Sequence, residues 1–274
     1  MSESLSKKPE VLLSTGAFIG RVNGRNHRLM IEYTDKLNCD GFELMLYAPW
    51  MDEVHSILDD YKRSGINIVT LHSLKDIGDM VCDPSDEAWQ RCRETFTKNC
   101  EIAAELGARK IITHIWGRPH SDKYLEAIIE RCGFLMETAQ NFGVDFVPEN
   151  CVCFTSPLEN IKKLREVYPG IGVTIDTRPA QFHRELKQIC ESDIFAGNMR
   201  HVHINDFHGE YMQWDALNPI LQPGLGDIDF DAFFAALRGI GYDGTITLEA
   251  PSMIAEGVDT ETLNRGLDFI RARI

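Results

Sequence analysis

The chain has no excess of positive charge, no long apolar run and no paired-cysteine motif, and each absence removes a class of function. Lys and Arg total 28 against 42 Asp and Glu, giving a formal net charge of −14, and no run of basic residues exceeds a pair. A nucleic-acid backbone is bound by clustered cations, so a nucleic-acid partner is disfavoured. No stretch reaches the roughly 20 apolar residues of a membrane-spanning helix, and the polar opening MSESLSKKPE lacks the apolar core of a signal peptide. The expectation is a cytoplasmic protein with no membrane partner. The eight cysteines form no C-x-x-C pair; Cys151 and Cys153 alternate on an extended segment with no second pair to complete a zinc cage, so free thiols are expected. Also missing are G-x-x-x-x-G-K-[ST], H-E-x-x-H and G-x-S-x-G, and the first apolar run leads into Gly16-Ala17-Phe18-Ile19-Gly20 rather than a G-x-G-x-x-G dinucleotide turn.

What is present is a rhythm. Eight short apolar runs, at 11–18, 39–46, 66–73, 108–116, 144–150, 171–177, 200–206 and 244–250, read as strands buried on both faces. Amphipathic segments separate them, at 25–37, 51–63, 85–106, 121–141, 157–167, 180–190, 229–240 and 260–273. Gly65, Gly107, Gly143, Gly170 and Gly241 fall where those helices should stop. With 274 residues and 43% hydrophobic content, this eight-fold alternation predicts one α/β domain, a single (β/α)8 TIM barrel over 10–274 with residues 1–9 as a disordered tail.

Four run-ends carry hard metal-ligand side chains: Glu149 in VDFVPEN, Asp176 in IGVTIDT, His203 in RHVHIND and Glu249 in GTITLEA. In a parallel barrel the C-terminal strand ends converge on the face where active sites lie, so a metal site is expected there. Three carboxylates and an imidazole suit one divalent ion, Mn²⁺ first, with Mg²⁺, Co²⁺ or Zn²⁺ as alternatives. Burying one unpaired carboxylate costs several kcal/mol, so these four ligands, three of them carboxylates, on consecutive strand ends are hard to explain without a cation.

These motifs, with P-E-N at 148–150, I-D-T at 175–177, H-V-H-I-N-D at 201–206, P-G-L-G-D-I-D-F at 223–230 and L-E-A-P at 248–251, resemble those of the xylose isomerase-like barrels, a superfamily that includes sugar isomerases and epimerases, inosose dehydratases and endonuclease IV-type enzymes. The resemblance implies that Glu149, Asp176, His203 and Glu249 bind one divalent ion and that Glu149 and Glu249 are the acid/base pair. It further implies an isomerase or epimerase working through an enediolate on a monosaccharide or cyclitol derivative. A dehydratase or lyase of the inosose or dehydroshikimate type is the alternative, since the same intermediate can expel a leaving group; an endonuclease IV-type repair enzyme needs three metals and a basic groove. The oligomeric state stays open, a homo-oligomer included.

Further substrate contacts are expected from His72 and His114, which end the third and fourth runs, with packing imidazoles as the competing reading. Glu43 matches a glutamate common in the family's second strand and can meet substrate or pair with His72. Trp116, with Trp50 and Phe18, can wall a sugar ring or simply be core. Asp206 and His208 follow a metal ligand closely and are expected near it. The family often has a histidine three residues after the sixth-strand aspartate, where this chain has Pro179; either His183 reaches back or Arg178 binds a carboxylate or phosphate of the substrate.

Overall fold

The computed structural model describes residues 8–118 and 120–274; most of the expected N-terminal tail therefore lies outside the described residues. Eight strands, β1 (Glu10–Ser14), β2 (Gly41–Met45), β3 (Ile68–His72), β4 (Lys110–His114), β5 (Asp145–Glu149), β6 (Val173–Asp176), β7 (Met199–Ile204) and β8 (Thr245–Leu248), pair in parallel in sequence order and close through β1 and β8 into a barrel. Short, Val/Ile-rich segments with both faces covered make such strands near-continuously apolar. All eight runs read from sequence are strands, each shorter than its apolar run.

The helices are α1 (Arg28–Tyr33), α2 (Val54–Arg63), α3 (Asp76–Cys82), α4 (Asp86–Leu106), α5 (Leu125–Asn141), α6 (Pro157–Val167), α7 (Thr177–Phe182), α8 (Leu186–Cys190), α9 (Asp193–Gly197), α10 (Phe230–Gly239) and α11 (Thr260–Arg271). Two expected helices differ. Residues 25–37 hold only the short α1 between 3₁₀ turns, with Arg25 at φ 54°. Residues 180–190 are broken into α7 and α8 at Arg184, also at φ 54°. The short α3 and α9 carry too few turns for periodicity to reveal.

Capping follows sequence. Ser85 accepts from Ala88 N to start α4, and Ser156 accepts from Glu159 N to start α6. Gly107 ends α4 in the left-handed region at φ +71°, where a residue with a Cβ is strained. All eight cysteines are free. No helix among the described residues is long and apolar enough to cross a membrane.

Nothing lies within 4 Å of the position a Cβ would take at Gly107, so Gly107→Ala tests backbone conformation alone. It should cost about 1 kcal/mol, read as a lower urea midpoint at unchanged slope. An unchanged midpoint would show that this turn carries no conformational penalty.

Candidate active site

The strand ends place the candidate ligands. Glu149 closes β5, Asp176 closes β6, His203 is next to last in β7 and Glu249 follows β8 directly. One ligand atom of each lies within 4.8 Å of the others. Side-chain amides and hydroxyls continue the ladders just beyond the strands and so fix these positions. Between β5 and β6, where the register shows one Cα pair, Asn150 Oδ1 accepts from Asp176 N at 2.6 Å and its Nδ2 donates to Asp176 O at 3.1 Å. Between β6 and β7, Thr177 Oγ1 donates to Asn205 O at 2.6 Å. Asn205 Nδ2 then donates to Asp176 Oδ2 at 3.2 Å and to Glu249 Oε2 at 3.0 Å.

At the centre is His203, fully buried. Its Nδ1 is 3.0 Å from Glu149 Oε1 and 3.8 Å from Glu249 Oε2, and its Nε2 is 3.1 Å from Glu43 Oε1. A carboxylate only accepts, so both ring nitrogens carry hydrogen here. Burial alone would lower the His203 pKa, but the charges of Glu43, Glu149 and Glu249 outweigh it and hold it well above the usual range. Reciprocally, burial would raise Glu149 and Glu43, yet the His203 charge, with His114 for Glu149 and His201 for Glu43, keeps both well below the ordinary carboxylate range. Asp176 is the exception: burial, then repulsion from Glu149, pushes its pKa up to about 7.

This donor set fits a divalent cation. Oxygen ligands with one imidazole nitrogen, already gathered within a coordination sphere's width, match hard or borderline ions. His203 Nδ1 faces the carboxylates and can join them in holding the ion, while Nε2–H stays on Glu43, the outer carboxylate that fixes a ligand's tautomer.

His72 and His114 flank the deep side. His114 Nε2 is 3.0 Å and His72 Nε2 3.6 Å from Glu149 Oε2, and the three residues form a further donor group within 4.8 Å. Glu43 is buried against His203 and His201 rather than His72. On the open side, Glu249 and Arg178 line a cleft of about 270 Å³ together with Lys75, Arg25, Arg21 and Tyr47; Lys75 Nζ is 3.9 Å from Glu249 Oε1. A larger cleft, about 430 Å³, lies at the other end, beside the start of β5 and Arg200, away from these groups.

Six expected contacts are elsewhere. Asp206 is buried and its carboxylate accepts from the backbone amides of Phe207, Gly224, Gly226 and Ile228, so it ties down its own loop. The His208 side chain is 75% exposed and pairs with Asp227 at 2.8 Å. His183 is buried, and its Nε2 accepts from Cys153 N at 3.3 Å instead of reaching back to Asp176. Trp116 is 1% exposed with its indole N–H donating to Cys151 O; Trp50 and Phe18 are buried too. The three aromatics are core.

Sequence reading passed over His201, Asn205, Lys75, Arg21 and Arg25. His201 was within reach: two residues before His203 on a strand, it shares the interior face. The others are loop residues, for which periodicity gives no position.

The match to known proteins agrees with this geometry. The family model for the xylose isomerase-like TIM barrel matches residues 30–273, and the chain belongs to that family. A ketose 3-epimerase of Arthrobacter globiformis is 24% identical over 251 residues, covering 84% of this chain and 80% of that protein. An L-ribulose 3-epimerase of a Methylomonas species is 24% identical over 243 residues, covering 82% and 78%. Among solved structures, the D-allulose 3-epimerase from Methylomonas sp. in complex with D-allulose superposes with a TM-score of 0.72 at 19% identity, covering 98% of each chain.

One divalent ion per chain is expected, and its uptake should displace protons from His203 and Asp176. With Asp176 near pH 7 and His203 above its usual range, apparent affinity should fall by at least about tenfold per pH unit below pH 7. Chelator competition across pH 5.5–8 measures this, and a flat profile would remove the proton-metal exchange. Glu43→Gln should weaken metal binding by about 10- to 100-fold while the fold persists; unchanged affinity would make Glu43 a core residue only.

Proposed function

We propose that this protein is a divalent-metal-dependent sugar epimerase or isomerase in which Glu149 and Glu249 exchange a proton at a carbon next to a carbonyl. The observation that carries this reading is the pair of carboxylates that converge on one imidazole nitrogen, 3.0 and 3.8 Å from His203 Nδ1, in a chain two of whose matched relatives are 3-epimerases. The bound ion, Mn²⁺ by preference with Mg²⁺, Co²⁺ or Zn²⁺ as alternatives, would be held by Glu149, Asp176, His203 and Glu249. It would withdraw charge from the substrate's carbonyl and neighbouring hydroxyl and so acidify the C–H between them.

The protein's own groups do the rest. Glu149, sealed against His114 and His72, takes or returns the proton on one face of the planar enediolate, and Glu249, open to the cleft beside Lys75, does so on the other. Transfer from one face to the other inverts the carbon, which is epimerisation; removal and return by one glutamate between adjacent carbons is isomerisation. Asn205, bonded to both Asp176 and Glu249, sets the approach of the second carboxylate. His114 is the one imidazole of the deep side that is partly exposed, 23%, and can bond a substrate oxygen. The substrate would be a monosaccharide or cyclitol derivative. The acidic chain and the proline at 179 speak against a three-metal endonuclease.

Glu149→Gln and Glu249→Gln keep shape and remove a base, so each should lower kcat by about 10² to 10⁴ with the fold retained. The assay is solvent deuterium entering ketoses and inososes in the metal-loaded protein. Deuterium uptake that either variant leaves near normal would remove that glutamate from the acid/base pair, and a product lacking water would move the reading to a dehydratase.

A further inference from the structure

The cleft that opens onto Glu249 is cationic in an acidic protein. Four of its twelve lining residues, Arg21, Arg25, Lys75 and Arg178, are Lys or Arg, and Glu249 is the one acid among them; across the chain only 28 of 274 residues are Lys or Arg. The cleft thus concentrates positive charge about threefold. Several basic side chains elsewhere are paired with acids, among them Lys62 on Glu105 at 2.6 Å, Arg165 on Asp193 at 2.9 Å and Arg271 on Asp40 at 2.8 Å. In the cleft, among the described residues, Arg21, Arg25 and Arg178 have no carboxylate within 4.0 Å, and Lys75 reaches Glu249 only at 3.9 Å.

Two features show that this arrangement is built. Arg25 stands at φ 54°, a left-handed conformation that persists only when its surroundings hold it. Here they do: Arg25 N donates to Gly20 O at 2.7 Å, its carbonyl accepts the Trp50 indole N–H at 2.9 Å, and its guanidinium lies over the Tyr47 ring at 5.7 Å. Arg178 is anchored by one nitrogen to Leu217 O at 3.2 Å, while its Nε is buried and without a partner. A buried guanidinium N–H left unpaired is costly, and a planar oxyanion is the acceptor its fork suits.

We propose that the substrate carries an anionic group, a phosphate ester or a carboxylate, at the end remote from the reacting carbons, and that Arg21, Arg25, Lys75 and Arg178 bind it. The two ends of the substrate then meet opposite chemistry: the reacting carbons face the carboxylates at the ends of β5 and β8, and the anion faces the loops after β1, β3 and β6. This inference rests on the reading of the mouth as a sugar site, but a binding measurement tests it without turnover.

Calorimetric titration of the metal-loaded protein with inorganic phosphate, acetate, D-fructose, D-fructose 6-phosphate and D-fructuronate at low and high salt would do so. Inorganic phosphate or acetate should bind, the corresponding sugar anion should bind at least about tenfold more tightly than D-fructose, and the advantage should shrink in salt. Phosphate against acetate, and the phosphate ester against the uronate, tell the two sources of charge apart. Arg21→Gln with Arg25→Gln should remove about tenfold or more of the anion's affinity, with D-fructose unchanged within twofold. Arg25→Lys, which keeps the charge, should retain most of it and guards against misfolding in the Gln variant. Equal affinity for neutral and anionic ligands, no binding of either simple anion, or losses shared equally by neutral and charged sugars would overturn the proposal. Anion binding with no deuterium exchange into any sugar would instead keep this inference and bring down the epimerase reading.

Discussion

A buried imidazole shared among carboxylates holds the centre of this barrel. His203 touches Glu43 with one nitrogen and Glu149 with the other, with Glu249 within 3.8 Å. Each carboxylate buried alone would cost several kcal/mol, and the group becomes affordable only through mutual pairing. Removing the imidazole would take away the cation that Glu43 and Glu149 share and leave His201 beside the first and His114 beside the second. The strand ends that carry Glu149, Asp176 and Glu249 can therefore converge because β7 delivers a cation, or a metal ligand, into their midst.

The support runs the length of the barrel. Glu43 accepts from His201 Nε2 at 2.9 Å, so His201 Nδ1 is left to accept from the Thr245 hydroxyl at 2.6 Å, whose oxygen in turn accepts from Lys110 Nζ at 2.9 Å. Every donor in this series points toward Glu43, which fixes the tautomer of His201 and leaves the carboxylate as terminal acceptor. Burial lowers His201 to about 4 despite its bond to Glu43, so the ring stays neutral and acts as a relay of orientation rather than a second charge. The barrel interior is thus partly polar by design of its strands: Thr70, Thr245 and Thr247 fill positions where aliphatic side chains would pack a barrel core, and Thr70 and Thr247 donate to or accept from the same network.

How far the sequence carried this picture follows from what each signal measures. Strand identity rests on short, apolar, β-branched runs, and all eight survived because burial on both faces leaves little room for another reading. Glu149, Asp176, His203 and Glu249 were legible because a charged residue ending such a run must face either solvent or a partner. Asp206 and His208 met the same criterion of proximity along the chain, yet the first turned to backbone amides and the second to Asp227, since a loop's direction is not written in its spacing. The same limit hid Lys75, Arg21 and Arg25. His201 was missed for a different reason: His203 alone had accounted for the motif, although strict alternation puts both rings on one face.

The two glutamates are chemically alike and physically unequal, and that inequality follows from where their strands end. Glu149 is the last residue of β5 inside the ladder, 3% exposed, with imidazoles of β3, β4 and β7 around it. Glu249 stands one residue past β8, 11% exposed, with an amide and an ammonium group for company. A base sealed on its deep side exchanges protons only with what enters the mouth, whereas one beside the cleft can also exchange with water. If the two act as the proposed acid/base pair, the same position relative to the ladder that sets burial also sets how each carboxylate regains its starting protonation, and one end residue of a strand can differ in role from its counterpart with no change in chemical type.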